Sequence, residues 1–239
     1  MITINLLGQT KDGNLTIRLN SKYLNLVCSP KDSQNISRLA GFLDQNFIRI
    51  FNDLKPQINH HRITIFFHDD ISLLRKELDI PDEDSWAMGS SLNADTIVMM
   101  SPYSSYVKSK YTYSASLQTI VHEIAHCISL LLNPHFTNNP NWLWEGVALY
   151  EANQREDLKK INYVLNRKIP SLKALNKGSH YTMNYDLGYS FIEYIRSRWG
   201  FDSVIQLIRT NGSIRKTLGI SNQEFQEDWY TFIYATYLR

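Results

Sequence analysis

The sequence predicts an α+β protein, with an N-terminal mixed sheet and its helices, a central pair of helices, and a C-terminal helical lobe. Two patterns predict it. Short apolar or alternating runs bounded by turn residues fill the early part of the chain, as half-buried strands do. From residue 113 onward, apolar residues recur at helical spacing in segments punctuated by Pro, Gly and Asn. Strands with helices early in the chain, followed by helices alone, are read as an α+β class.

The elements follow in order. Residues 2–6, 15–19 and 23–28 read as strands, with Lys11-Asp-Gly-Asn14 as the turn between the first two. Residues 33–54 read as a long helix because Ile36, Leu39, Leu43, Phe47, Ile50 and Phe51 fall on one stripe. Residues 62–67 form a strand, and Asp69 or Asp70 caps a short helix that runs through Leu78. The stretch 81–93 is polar and reads as a loop, and 96–100 is the next strand, ended by Ser101-Pro102. Residues 103–113, rich in Ser, Tyr and Lys, read as a flexible, lid-like connection to a helix capped by Ser114 or Ser116. A second helix runs to about Asn153. Residues 154–166 are amphipathic and charged, Pro170 breaks that segment, and 176–184 reads as a loop. Helices at 187–199, stopped by Gly200, and at 203–210 come next. The last helix is capped by Ser221, with Glu224 three residues on.

Composition narrows the class. With 239 residues, 43% of them hydrophobic, the chain can bury a substantial core. A net charge of +2 gives no basic stripe and no argument for nucleic acid. Uninterrupted apolar runs fall short of about 18 residues, so no membrane span is expected. Met1-Ile-Thr-Ile-Asn-Leu-Leu-Gly8 shows neither a basic start nor a small-residue cleavage site, and two cysteines make no disulfide framework. A reducing cytoplasmic setting is the expectation. Cys127 lies five positions after His122, off the histidine stripe, and is expected to be a packed thiol rather than a ligand.

The chemistry concentrates in His122-Glu-Ile-Ala-His126 and in Glu145. Four helical residues rotate by about 400°, so both imidazoles lie on one face and can share a tetrahedral Zn²⁺. Glu123 is placed to act as general base on the attacking water. An HExxH match arises by chance in about one such chain in a hundred, so the motif alone only suggests a site. Two further facts strengthen it. Leu117, Ile120, Val121, Ile124, Ile128 and Leu131 keep a helical period around the motif. A Glu then follows in a second apparent helix, after a linker from Asn133-Pro134 to Pro140 that can turn the chain back. Gly146, beside Glu145, is expected to let these two helices approach closely enough for the carboxylate to complete the metal set.

Taken together, HExxH, eighteen residues and a Glu within Trp142-Leu-Trp-Glu-Gly-Val-Ala-Leu-Tyr150 resemble the gluzincin metallopeptidases, the thermolysin and aminopeptidase-N superfamily. The chain is most similar to the small bacterial peptidase MA-like domains, over roughly residues 60–235. Tyr185-Asp-Leu-Gly-Tyr-Ser-Phe-Ile-Glu-Tyr-Ile195, Gly200 and Leu218 through Trp229 also resemble family segments. The resemblance implies a thermolysin-like domain. An N-terminal α/β lobe, 1–126, would end in the active-site helix, and a helical lobe, 127–239, would carry the third ligand, both forming one compact catalytic unit.

It further implies a peptidase with one zinc per chain, held by His122, His126 and Glu145, with Glu123 as general base and an extended peptide or protein as substrate. Tyr185 aligns with the family tyrosine that donates to the oxyanion, and Tyr189 is its nearest competitor. The family's strand before the active-site helix is a sheet edge, which would make 96–100 the place where a substrate backbone pairs; an ordinary core strand is the equal alternative from the sequence alone. His60, His61, His135 and His180 are given no role.

Two departures shape the reading. The aminopeptidase motif Gly-x-Met-Glu-Asn, whose Glu binds a free amine, has Trp86-Ala-Met-Gly-Ser-Ser91 in its place, which favours an endopeptidase. Four positions after Glu145, where relatives often carry an acid, this chain has Leu149, and Glu151 is about 120° off that face. The alternatives are a catalytically weak metallopeptidase-like binding or regulatory module, and a non-peptide amide or ester hydrolase.

Overall fold

The computed structural model describes residues 3–9, 15–81, 87–135, 139–177 and 180–239, and shows an α+β chain. It divides into two compact units, 1–52 with 56–131, and 53–55 with 132–239. The first boundary after the strands thus falls at 131/132, at the last residue of the HExxH helix and beyond both histidines.

The first unit is built on a six-stranded sheet. Its strands are β1 (Thr3–Gln9), β2 (Leu15–Asn20), β3 (Leu24–Cys28), β4 (Ile63–His68), β5 (Gly89–Asn93) and β6 (Thr96–Met100), in the order β1-β2-β3-β4-β6-β5. β1, β2 and β3 pair antiparallel, β3–β4 and β4–β6 pair parallel, and β5 returns antiparallel on β6. The sheet is therefore mixed. The anticipated turn at 11–14 lies outside the described residues.

The helix α1 (Ser33–Leu54) makes the crossover from β3 to β4. Ile36, Leu39, Leu43, Phe47 and Ile50 are buried as the stripe required, with Leu54 completing it and Phe51 half-buried. Asp44 ties this helix to the start of β3, accepting from Ser21 Oγ at 2.8 Å and from the Tyr23 N–H at 3.1 Å. A short helix α2 (Ile71–Leu78) begins at Asp70, whose Oδ1 accepts from the Ser72 N–H at 2.8 Å.

Two expectations for this unit are corrected. The stretch 81–93 is not all loop, because Gly89–Asn93 is a strand; residues 82–86 lie outside the description. The two-residue turn Ala94-Asp95 folds β5 onto β6, and the Asn93 side chain accepts from the Asp95 N–H at 2.8 Å. His61 Nε2 lies 2.7 Å from the Ala94 carbonyl oxygen and pins the tip. Glycine suits this strand for a packing reason: a Cβ on Gly89 would come within 2.3 Å of the Met99 Cβ. Consequently β6 is not the sheet edge. It lies between β4 and β5, and Ile97 through Met100 are buried.

The connection 103–113 is likewise not an open lid. It holds the helix α3 (Ser105–Lys110), capped by Ser104, whose Oγ accepts from the Val107 N–H at 3.2 Å. Val107 packs with Leu74, Met88, Val98 and Met100. Tyr103 Oη is 3.0 Å from Tyr113 Oη. The unit then ends in α4 (Tyr113–Leu132).

The second unit is helical: α5 (Asn141–Glu151), α6 (Asn162–Leu165), α7 (Leu172–Leu175), α8 (Met183–Trp199), α9 (Phe201–Arg209), α10 (Ile214–Leu218) and α11 (Asn222–Ile233). Its core is aromatic. Phe191 of α8 lies 4.4 Å from Trp229 of α11 and 5.7 Å from Trp142 of α5, centroid to centroid. The buried Trp229 N–H donates to Ser190 Oγ at 3.1 Å, which satisfies the one polar atom of that ring. Gly200, at φ 81°, ends α8, and α11 starts with a full capping box between Ser221 and Glu224.

Residues 154–166 are less helical than their periodicity suggests, with a single 3₁₀ turn at Leu158–Lys160 before the one-turn α6. In contrast, α8 starts at Met183, inside the stretch read as loop, and α9 at Phe201.

Candidate functional site

The α4 helix carries the HExxH motif. Its N-cap is Thr112 rather than Ser114 or Ser116: Thr112 Oγ1 accepts from the Ala115 N–H at 3.1 Å, while Ser116 Oγ donates back to the Tyr113 carbonyl at 2.7 Å. Every residue from Ile120 to Ser129 is buried, so this is a helix covered on all sides. By length and composition alone it would also cross a bilayer, which qualifies the expectation read from uninterrupted runs; 61% of its apolar window is buried within the protein.

On α4, His122 and His126 have ring centroids 4.6 Å apart and planes at 84°. The two imidazoles stand one turn apart on one face, as four-residue spacing requires. Glu123 lies beside them, 8% exposed, and its Oε2 accepts from the Ser91 N–H at 2.8 Å.

The sheet register explains that donor. Met100 N–H bonds to the Met88 carbonyl at 2.7 Å, so residues 88 and 90 exchange hydrogen bonds with β6, while 89 and 91 turn their main-chain groups away from it. The Ser91 N–H is therefore available to Glu123 because β5 is the sheet edge. At Leu92 the pairing register shifts, and this side chain is 52% exposed.

Cys127, next along the helix, donates from Sγ to the Asn93 carbonyl at 3.2 Å. Both cysteines are free thiols, and burial pushes Cys127 well above the usual thiol range, which suits a packed residue.

Glu145 belongs to the second unit, on α5, and is also buried. A close approach of α5 and α8 sets its surroundings. A Cβ on Gly146 would meet the Gly188 carbonyl oxygen at 2.8 Å, and one on Gly188 would meet the Gly146 Cα at 2.8 Å. Gly146 therefore serves contact with α8. Gly188 is the glycine of Tyr185-x-x-Gly, so the contact that admits one helix to the other also brings Tyr185 toward Glu145.

The link is made by Tyr181. Its hydroxyl donates to Glu145 Oε1 at 2.9 Å and lies 3.2 Å from the Tyr185 hydroxyl, with the two rings edge to face. Tyr189 points elsewhere: its ring packs 5.2 Å from Tyr150, and it lines a separate cavity with Arg155, Lys159 and Tyr237. Leu149 is buried with its Cδ1 against Gly188, and no acid occupies that position.

Thus His122, Glu123 and His126 come together in the first unit, and Glu145 and Tyr185 come together in the second, through Tyr181. Ser91 and Tyr181 were not foreseen. Ser91 acts through its main chain and carries no residue signal. Tyr181 had one, its four-residue spacing from Tyr185, but it fell in a stretch read as loop. His135 is exposed, and His61 serves the hairpin.

No known protein family, curated protein or solved structure matches this chain.

Proposed function

We propose that the chain is a zinc-dependent peptidase of gluzincin type, most simply an endopeptidase, with His122, His126 and Glu145 holding one Zn²⁺. The observation that carries the reading is on α4: two buried imidazoles one turn apart, with the intervening Glu123 anchored to the main chain of an edge strand. The donor set fits the metal. Two imidazoles and one carboxylate, all buried, are the donor types of a catalytic zinc, which keeps its fourth position for water. Bound there, zinc supplies Lewis acidity, lowering the pKa of water toward ~7 and polarising the scissile carbonyl.

The protein's own groups do the rest. Glu123 takes a proton from the attacking water and hands it to the leaving nitrogen. The bond from Ser91 holds one carboxylate oxygen and leaves the other for that work. Tyr185 donates to the developing oxyanion, a contribution of roughly 3 kcal/mol for one well-placed donor. The substrate backbone adds to β5 rather than β6, through the outward main-chain groups of Gly89 and the Ser91 carbonyl, the Ser91 N–H being held by Glu123.

One observation favours a second reading, a regulatory module of low turnover. Tyr181 comes from the 176–184 stretch, and its hydroxyl already touches the ligand carboxylate. Hydrolysis of a peptide library decides between the two.

The metal is tested first. Protein purified without chelator is expected to carry about one Zn²⁺ per chain, and His126→Ala to lose it. Full zinc retention by that variant would remove His126 from the ligand set.

A further inference from the structure

We infer that Tyr181 is a positioning residue that holds Glu145 as a one-oxygen ligand and orders the hydroxyl of Tyr185. The inference rests on the zinc reading above and deepens it. Hydrogen-bond direction carries the argument. An ionised carboxylate only accepts, so the 2.9 Å contact fixes the Tyr181 proton on Glu145 Oε1. A phenol has one proton. In the 3.2 Å contact between the two hydroxyls Tyr181 must therefore accept, and Tyr185 donates. The chain runs in one sense, from Tyr185 to Tyr181 to Glu145.

Two consequences follow. With Oε1 engaged by Tyr181, Oε2 is the oxygen that Glu145 offers a metal, and a two-oxygen mode is disfavoured. The Tyr185 proton rests on Tyr181, so donation to an oxyanion requires it to turn from a partner it already has. Tyr181 thereby joins the geometry of the ligand to the aim of the oxyanion donor.

The backbone around Tyr181 is built to keep it there. Asn184, fully buried, donates from Nδ2 to the Leu175 carbonyl at 2.9 Å, and its N–H bonds to the Tyr181 carbonyl at 3.0 Å. The turn that presents Tyr181 is thus tied at both sides before α8 begins.

The test uses the full chain and compares Tyr181→Phe with Tyr185→Phe. Phenylalanine keeps the ring, and with it the edge-to-face contact, so both variants should fold, which the melting of the metal-free proteins will check. For Tyr181→Phe we expect zinc affinity, measured by chelator competition, to fall about 10- to 100-fold. Its Co²⁺-substituted form should show a shifted and weakened visible absorption, as a carboxylate moves from one-oxygen to two-oxygen binding. Tyr185→Phe should keep both the affinity and the cobalt spectrum of the parent, because it leaves the Tyr181 hydroxyl on Glu145 in place.

Parent-like affinity and spectrum in Tyr181→Phe would overturn this inference and leave the zinc reading standing, as would equal losses in the two variants. Absence of any zinc binding by the parent protein would overturn the zinc reading and this inference together.

Discussion

The two units hold their key carboxylates by different means. In the sheet unit Glu123 is held by a main-chain N–H, that of Ser91 at 2.8 Å; in the helical unit Glu145 is held by a side chain, the Tyr181 phenol at 2.9 Å. A main-chain donor is indifferent to the residue that carries it. It can be deleted only by proline, and nothing in the sequence announces it. A side-chain donor is a named residue that a single substitution removes. Glu123, the proposed general base, is thus set by strand topology, and Glu145, the proposed ligand, by side-chain chemistry.

The largest expected effect lies on the sheet side. Glu123→Gln keeps an oxygen that can accept from Ser91, so zinc content and fold should stay while hydrolysis falls roughly 10²- to 10⁴-fold. Equal activity of variant and parent on any cleaved substrate would place the chemistry elsewhere.

A pair of substitutions at 91 sharpens the comparison. Ser91→Pro deletes the N–H but none of the ladder bonds to β6, since that N–H faces away from it. Hydrogen bonds to charged groups are worth about 1.5–3 kcal/mol, so activity should fall about 10- to 100-fold with the fold intact. Ser91→Ala, which keeps the N–H, should behave as the parent. If Ser91→Ala is the damaging change, the side chain and not the main chain is the donor that matters.

That contrast also marks what could be read from the sequence. The HExxH helix, the stripe of α1, the strand β4 and the Ser221 cap were legible, because periodicity and capping are local properties. The strand β5 was not. Gly89, Ser90 and Ser91 have poor strand propensity, and they pair because the hairpin at Ala94-Asp95 folds them onto β6. The edge position went to β6 for the same reason. Of the candidate site, the ligand and base residues were named from the motif. Tyr181 depends on how the turn before α8 is tied by Asn184, which is tertiary information. Gly146 was singled out for the HExxH helix, while its contact with Gly188 and Ile192 of α8 had no local signal.

The glycines offer a smaller test of the same contrast. In the helical unit Gly188 admits no methyl, since its Cβ would lie 2.8 Å from the Gly146 Cα and 3.0 Å from its N, both backbone. Overpacking of this kind costs about 1–3 kcal/mol, so Gly188→Ala should lower the melting temperature by several degrees. It should weaken zinc binding as well, because a methyl there pushes on the Gly146 backbone beside Glu145. In the sheet unit Gly41 of α1 has nothing within 4 Å of a Cβ, so Gly41→Ala should stabilise by about 0.5–1 kcal/mol. Calorimetry of the two metal-free variants reads both signs. A neutral Gly188→Ala would mean that α5 and α8 can separate without consequence.

The smallest expected effect concerns the substrate's end. The stretch Trp86-Ala-Met-Gly-Ser-Ser91 has no Glu to bind a free amine, and part of it is β5, whose outward main-chain groups suit a passing backbone. A backbone paired along an edge strand is held by its amides, wherever its ends lie. Acetylating the N-terminus of a peptide should therefore change kcat/KM by less than about twofold, and cleavage should fall at internal bonds. An exopeptidase that anchors the amine loses a buried charge pair worth about 2–5 kcal/mol, and acetylation would slow it more than about tenfold. Profiling one peptide library with free and with acetylated ends separates these outcomes. Single residues released only from free N-termini would overturn the endopeptidase assignment and the role of β5, while leaving the metal chemistry of His122, His126 and Glu145 untouched.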